Sequence, residues 1–317
     1  MRTVHLPTVD DVAAARDVID RHLAPTPLIR SAALGSVALK LETLQPTGSF
    51  KVRGALVAVA KQPAQPIVTA SAGNHGLGVA YAASEYGAAA TIVIPTNASS
   101  VKRAALEAFA VELVAAGTSY DEAEAHALEL AVRGAHFISP YNDPDTIAGQ
   151  GTIALELFDQ MPDVRQVIVP IGGGGLISGI GLASTLRDGV QVIGVEAAAS
   201  PAVAAALNGE SSIEVKPTLA DGLAGNLEEG SITIELTRRH VADIVEVSED
   251  EIANAISFLS AQHGLVAEGS AAVGVAALLH GKIAADESTA VIVTGRNIAR
   301  STYIDVLTRE GGEPPRR

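Results

Sequence analysis

Three short stretches of the chain carry side chains and backbone able to do chemistry. In the first, Lys40 to Gly54, a strand runs into a turn at Pro46 and Gly48, and a helix starts near Ser49, with Lys51 in its first turn. A cation at the positive end of a helix is electrostatically misplaced, so its pKa is expected to fall. A less protonated amine is a better nucleophile toward an aldehyde, with which it forms a Schiff base. A lysine taken alone is most often a solvated surface group; the neighbouring stretches count against that reading here.

The second stretch, Ile67 to Gly78, is again a strand that enters a tight polar turn and then a helix. Gly73 lets backbone approach a ligand, while the Ser71 hydroxyl, the Asn74 amide and the His75 ring can hydrogen-bond a carboxylate or a phenolic oxygen. An ordinary helix-capping turn would look the same. The third stretch, Val167 to Gly179, sets four consecutive glycines, Gly172, Gly173, Gly174 and Gly175, between an apolar strand and a helix. Without Cβ atoms, successive N–H groups can converge on one phosphate, and the helix N-terminus adds partial positive charge. A flexible connector is the plain alternative. Gly173 and Gly175 also match the first two glycines of a dinucleotide fingerprint, and Glu196 lies at about the ribose-binding distance, but Ser178 occupies the third glycine position. An NAD(P)-dependent oxidoreductase therefore stands as a second reading, and a non-catalytic ligand-binding protein as a third.

Around these stretches, short Val- and Ile-rich runs alternate with longer Ala-rich runs of helical period, the pattern of a mostly parallel sheet flanked by helices. The fold class is α/β. Strands are expected at Val37–Glu42, Pro66–Ala70, Ala89–Pro95, Val111–Ala115, His136–Ser139, Gln166–Pro170, Gln191–Glu196, Ile244–Val247 and Ala290–Thr294, and a first helix at Val9–His22. Pro25 and Pro27 end that helix, and a loop leads on to the first strand. The turn formers from Ser139 to Pro144 mark a lobe boundary.

At 317 residues, 48% hydrophobic and 18% charged, the chain can bury the core of two lobes. A net charge of −14 repels nucleic acid and anionic membranes, leaving small molecules as the expected partners. The absence of cysteine removes disulfides, thiolate nucleophiles and zinc–thiolate sites and fits a reducing compartment. No stretch is apolar for long enough to span a bilayer and no leader is legible at the N-terminus, so a cytoplasmic protein is expected. The eight histidines show no metal-ligand spacing, and neither a Gly-x-Ser-x-Gly elbow nor a Walker lysine is present.

Lys51 after Gly48, Ser49 and Phe50, the turn from Ser71 to His75, and the glycine run together resemble the fold-type II pyridoxal-phosphate family, in its threonine/serine dehydratase and serine racemase branch. The likeness extends in order from Thr26 to Asn297. It implies a fold similar to the tryptophan synthase β subunit. The two lobes would be 1–42 with 145–317, and 43–144 carrying the lysine. By the same resemblance Lys51 forms the Schiff base with pyridoxal 5'-phosphate, Phe50 lies beside its ring, Asn74 meets its phenolic oxygen, Gly172–Gly175 hold its phosphate and Thr294 faces its pyridine nitrogen. Ser71, Ala72, Gly73, Asn74 and His75 match the substrate-carboxylate loop, and Glu268 matches an acid near the substrate. The implied reaction is dehydration and deamination of a small β-hydroxy amino acid such as L-threonine or L-serine by a homodimer.

Departures from the family pattern narrow this picture. Racemases of the branch carry a serine where this chain has Ala72, so racemisation is not expected. Members that bind a divalent cation use a glutamate with oxygens four and six residues on; after Glu196 those positions are Ser200 and Ala202, which speaks against a metal. Arg296 replaces a glycine of the usual C-terminal motif and adds a cation near the pocket. It leaves open a 3-hydroxyaspartate-type substrate or, as in dehydratase-like proteins of ectoine utilisation, a hydroxyectoine-derived one. At this length, the regulatory domain of biosynthetic threonine deaminases and control by isoleucine are not expected.

Overall fold

The structure, a computed structural model, describes residues 4–62 and 64–309. Its first helix, α1 (Val9–His22), opens with a capping box in which the Thr8 and Asp11 side chains each bond the other's backbone amide. The chain continues through β1 (Leu28–Ser31), β2 (Val37–Leu41), α2 (Lys51–Lys61), β3 (Ile67–Ala70), α3 (Asn74–Tyr86), β4 (Ala90–Ile94), α4 (Ser100–Glu107), β5 (Glu112–Ala115), α5 (Tyr120–Val132), β6 (His136–Phe137) and α6 (Pro144–Gln160). Then come β7 (Gln166–Pro170), α7 (Gly175–Ser184), β8 (Gln191–Ala197), α8 (Ala202–Leu207), α9 (Ile232–His240), β9 (Asp243–Val247), α10 (Glu249–His263), α11 (Gly269–Leu279), β10 (Thr289–Val293) and α12 (Arg300–Leu307).

The strands form two sheets, one ordered β1-β2-β10-β7-β8-β9 and the other β5-β4-β3-β6. Every pairing is parallel except β1 with β2. The α/β class and the nine expected strands are found, shifted by a residue or two at their ends. The reading of residues after Pro27 as loop is corrected: Leu28–Ser31 is an edge strand, antiparallel to β2. Leu28 and Ile29 are half-buried, Arg30 is exposed and Ser31 is buried, so the four residues carry no alternating signal. The hairpin turn uses left-handed backbone at Gly35 (φ 64°) and, unusually for a side-chain-bearing residue, at Ser36 (φ 69°).

The larger sheet draws on residues 28–41 and 166–293 and the smaller on residues 67–137. One hydrophobic core runs through both, with Val52, Ile67 and Val79 in the same cluster as Val167, Ile177 and Ile180. The seam is α2 against α6, where two glycines allow backbone contact. A Cβ on Gly149 would lie 2.6 Å from the Gly54 Cα and 2.7 Å from the Arg53 carbonyl oxygen. Both obstacles are backbone and cannot turn aside. Gly149→Ala is therefore expected to destabilise the protein by about 1–3 kcal/mol despite alanine's better helix propensity, measured as a lower urea midpoint.

Candidate active site

Three of the segments around the site leave the C-terminal ends of parallel strands, where ligands bind in open α/β sheets. Ser71 follows β3, Gly172 comes shortly after β7, and Thr294 follows β10. Lys51 is the first residue of α2, and this helix start is pinned by backbone. Phe50 N–H donates to the Thr294 carbonyl at 3.0 Å and Ser49 pairs with Gly295. Gly48 takes a left-handed φ of 75°, and a Cβ there would meet Asn297 Oδ1 at 2.4 Å.

The Lys51 amine donates to the Pro140 carbonyl at 2.8 Å and lies 5.2 Å from the centre of the Phe50 ring. Its pKa falls from 10.5 to about 8, with burial as the main cause and the Glu268 charge opposing it. The direction matches the expectation from the helix end, but desolvation is the larger cause. Below about pH 8 the amine is protonated and unreactive. Schiff-base formation between cofactor-free protein and pyridoxal phosphate, followed by visible absorbance, is thus expected to speed up with pH and level off above about 8 instead of 10.5.

The residue after Pro140 connects the lysine to the glycine run. A Cβ at Gly173 would fall 2.3 Å from the Tyr141 ring, and one at Gly175 would fall 2.8 Å from the Tyr141 Cα. The Tyr141 hydroxyl accepts from the Glu228 amide at 2.7 Å, which fixes the ring. On another side, a Cβ at Gly172 would be 2.9 Å from Leu223 Cα, and Gly174 has a left-handed φ of 85°. The loop is thus packed on its Cβ side. No side chain caps α7, and the amides from Gly172 to Ile177 meet no acceptor among the described residues. Uncapped amides at a helix start fit a phosphate. Thr294 is buried beside this site, its carbonyl taken by the Phe50 amide. With the half-neutral amine, these features fit pyridoxal phosphate: Lys51 for the aldehyde, Gly172–Gly175 for the phosphate.

The Ser71–His75 turn approaches from the smaller sheet. Asn74 donates from Nδ2 to Glu268 at 2.7 Å and accepts from Asn297 Nδ2 at 2.6 Å, so both its amide atoms are held by the other sheet's loops. The Asn297 amide donates to the second Glu268 oxygen at 3.1 Å. Burial, with the nearby Asp221 charge, raises Glu268 to about 7. The Ser71 hydroxyl accepts from Gly73 N–H at 3.2 Å, and Ala72 packs against the core.

The His75 ring is already engaged by the smaller lobe's backbone. The ring is buried, Nε2 donates to the Ile138 carbonyl at 3.1 Å, and burial plus the Lys51 charge lower its pKa to about 3. It is neutral and braces the turn from beneath. Arg296 is exposed and its guanidinium donates to the Thr43 carbonyl, so it clamps the chain end to the segment before Lys51. Glu196 is far from free: its oxygens accept from the Val203 and Ala204 amides at 2.8 and 3.0 Å, at the start of α8. That removes the ribose contact an oxidoreductase would have needed, and no cluster of metal-ligating side chains exists among the described residues. Tyr141 and Asn297 were not singled out from sequence. Tyr141 sits inside the turn-former cluster, whose only signal was a chain break, and Asn297 was legible only as the end of the motif containing Arg296.

Among the described residues no helix is long and apolar enough to cross a membrane. Residues 19–295 match the family described as pyridoxal-phosphate dependent enzyme. The L-threonine ammonia-lyase of Thermotoga maritima is 42% identical over 304 residues, covering 92% of this chain and 76% of that protein. The catabolic L-threonine dehydratase of Escherichia coli K12 is 38% identical, covering 93% and 95%. Maize serine racemase superposes with a TM-score of 0.88 at 29% identity, covering 95% of this chain and 97% of that one. The resemblance read from the sequence, the two-lobed fold and the cofactor are borne out, and the oxidoreductase alternative falls. The chain belongs to the pyridoxal-phosphate dependent enzyme family.

Proposed function

We propose that this protein is an ammonia-lyase that dehydrates and deaminates a small β-hydroxy amino acid such as L-threonine or L-serine. The observation that carries this reading is the Lys51 amine, with a pKa near 8, held one residue away from the Tyr141 ring that backs the glycine loop. Bound there, the cofactor supplies an electron sink for negative charge at the substrate Cα. Lys51 Nζ, free of its proton above about pH 8, takes the Cα proton. Asn74 and the Ser71–Gly73 backbone orient the substrate, and the Thr294 hydroxyl, which carries no charge, would meet the cofactor's ring nitrogen without protonating it. Glu268 is the cleft side chain that holds a proton near pH 7. Ala72 brings no proton donor or acceptor to the loop, which favours elimination over racemisation. Water is lost across the Cα–Cβ bond, and the released enamine hydrolyses to a 2-oxo acid and ammonia.

A homodimer working in the cytoplasm on free amino acids belongs to the same reading. The test is keto-acid release by cofactor-loaded protein from L-threonine, L-serine, 3-hydroxyaspartate and a hydroxyectoine-derived amino acid. Turnover of threonine or serine is the expected outcome. Turnover of the acidic substrate alone would shift the assignment, and no release from any would end it.

A further inference from the structure

Two residues after Lys51, the wholly buried Arg53 sits in an ionic network that the proposed reaction does not use. Its Nε and Nη2 donate to the two Glu42 oxygens, each at 2.8 Å. Its Nη1 and Nη2 donate to the two Glu156 oxygens at 2.6 and 2.9 Å, and Nη1 reaches Thr152 Oγ1 at 3.3 Å. Lys40, also buried, donates to Glu156 at 2.7 Å, Gln160 at 2.9 Å and the Thr26 carbonyl at 2.8 Å. Glu42 is completed by the Thr26 hydroxyl and the Gln45 amide. Two cations face two carboxylates.

Such a network adds little stability that well-packed apolar side chains would not also give. What a bidentate guanidinium fixes is direction. Glu42 follows β2 in the larger sheet, Glu156 lies on α6, and Arg53 lies on α2, so the network ties three elements at the seam. The Gly54–Gly149 contact sets how close α2 comes to α6, and the Phe50–Thr294 bond sets where it starts. Rotation about the axis of α2 is what a fork to carboxylates on two other elements restricts most directly. The Lys51 amine stands at the end of a long stem, so a rotation of about 10° moves it by roughly 1 Å, a displacement that can cost ~100-fold in rate.

We propose that Arg53 is the positioning residue for Lys51, fixing through Glu42 and Glu156 the rotation of α2 and therefore the place of the reactive amine. The inference rests on Lys51 being the amine that bonds the cofactor. Arg53→Lys in the full-length protein keeps the charge but cannot fork between both carboxylates. Neither Glu268, whose charge acts on Lys51, nor His75, on which the Lys51 charge acts, is altered.

The expected result is a fall in kcat of about 10- to 100-fold with KM changed less than about threefold. The pH midpoint of Schiff-base formation in cofactor-free protein should also move away from that of the parent. A lower melting temperature with kcat and that midpoint unchanged would make the network structural only and overturn the proposal. If Arg53→Lys does not fold, Glu42→Gln, which keeps the shape and one acceptor, is read the same way: a moved midpoint supports the proposal and an unmoved one overturns it. Failure of the Lys51 assignment itself would show separately, as a visible cofactor band that survives in Lys51→Ala.

Discussion

Lys51→Ala is expected to purify without the visible absorbance of a Schiff base and to lose roughly 10⁴-fold or more in keto-acid release. Proton transfer by a placed side chain contributes about 10²–10⁴-fold, and in the proposed site the same residue would also form the covalent link to the cofactor, so both contributions would vanish together. The geometry makes replacement from nearby difficult. Among the cleft side chains described, Glu268 is an acid and His75 is neutral with its Nε2 committed to Ile138. The absorbance spectrum and a turnover assay with threonine or serine check the result together. A colourless variant that still turns over at the parental rate would remove Lys51 from the chemistry.

Gly173→Ala is expected to weaken pyridoxal phosphate binding by about 10- to 100-fold, a loss of roughly 1.4–2.7 kcal/mol. The new Cβ would lie 2.3 Å from the near end of the Tyr141 ring, and the ring is held by the bond from the Glu228 amide to its hydroxyl. The ring cannot simply swing off, so the loop gives way and its amides lose their common focus. Adding Tyr141→Ala should open the space and restore part of the affinity, giving a coupling of favourable sign in a double-mutant cycle. Cofactor titration by absorbance measures each variant. Equal affinity in the parent and Gly173→Ala would mean that the loop tolerates a side chain and does not cradle the phosphate.

Much of this arrangement is legible in the residues themselves. The strands surrounding the site are short, apolar and β-branched, so runs such as Gln166–Pro170 and Thr289–Val293 announce buried parallel strands without any knowledge of partners. The glycine run is equally plain, because four residues without side chains in sequence have few structural uses. What was hidden is pairwise. The edge strand β1 exists because β2 lies beside it, and nothing in Leu28–Ser31 alone marks a strand.

The orientation of side chains is hidden for the same reason. His75 reads as a ligand-binding group by type, but the Ile138 carbonyl lies below it and claims the ring. Arg296 reads as a substrate contact until the Thr43 carbonyl appears beside it. The Arg53 network joins positions more than a hundred residues apart in the chain, Glu156 among them, and no local pattern exposes it. Lys51 was placed correctly at a helix start, yet the chief cause of its altered basicity is burial, which depends on everything packed around it.

The turn from Ser139 to Asn142 has a consequence for molecular length. Its Pro140 carbonyl marks the amine at one end and its Tyr141 ring backs the glycine loop at the other, so two adjacent residues act as the jaws of a caliper. If Lys51 takes the aldehyde and the glycine amides the phosphate, as proposed, the bound compound must match that gauge, whatever amino acid it later carries. Inserting one residue between Pro140 and Tyr141 would reset the gauge, so the enzyme would discriminate against its own cofactor before any substrate arrived.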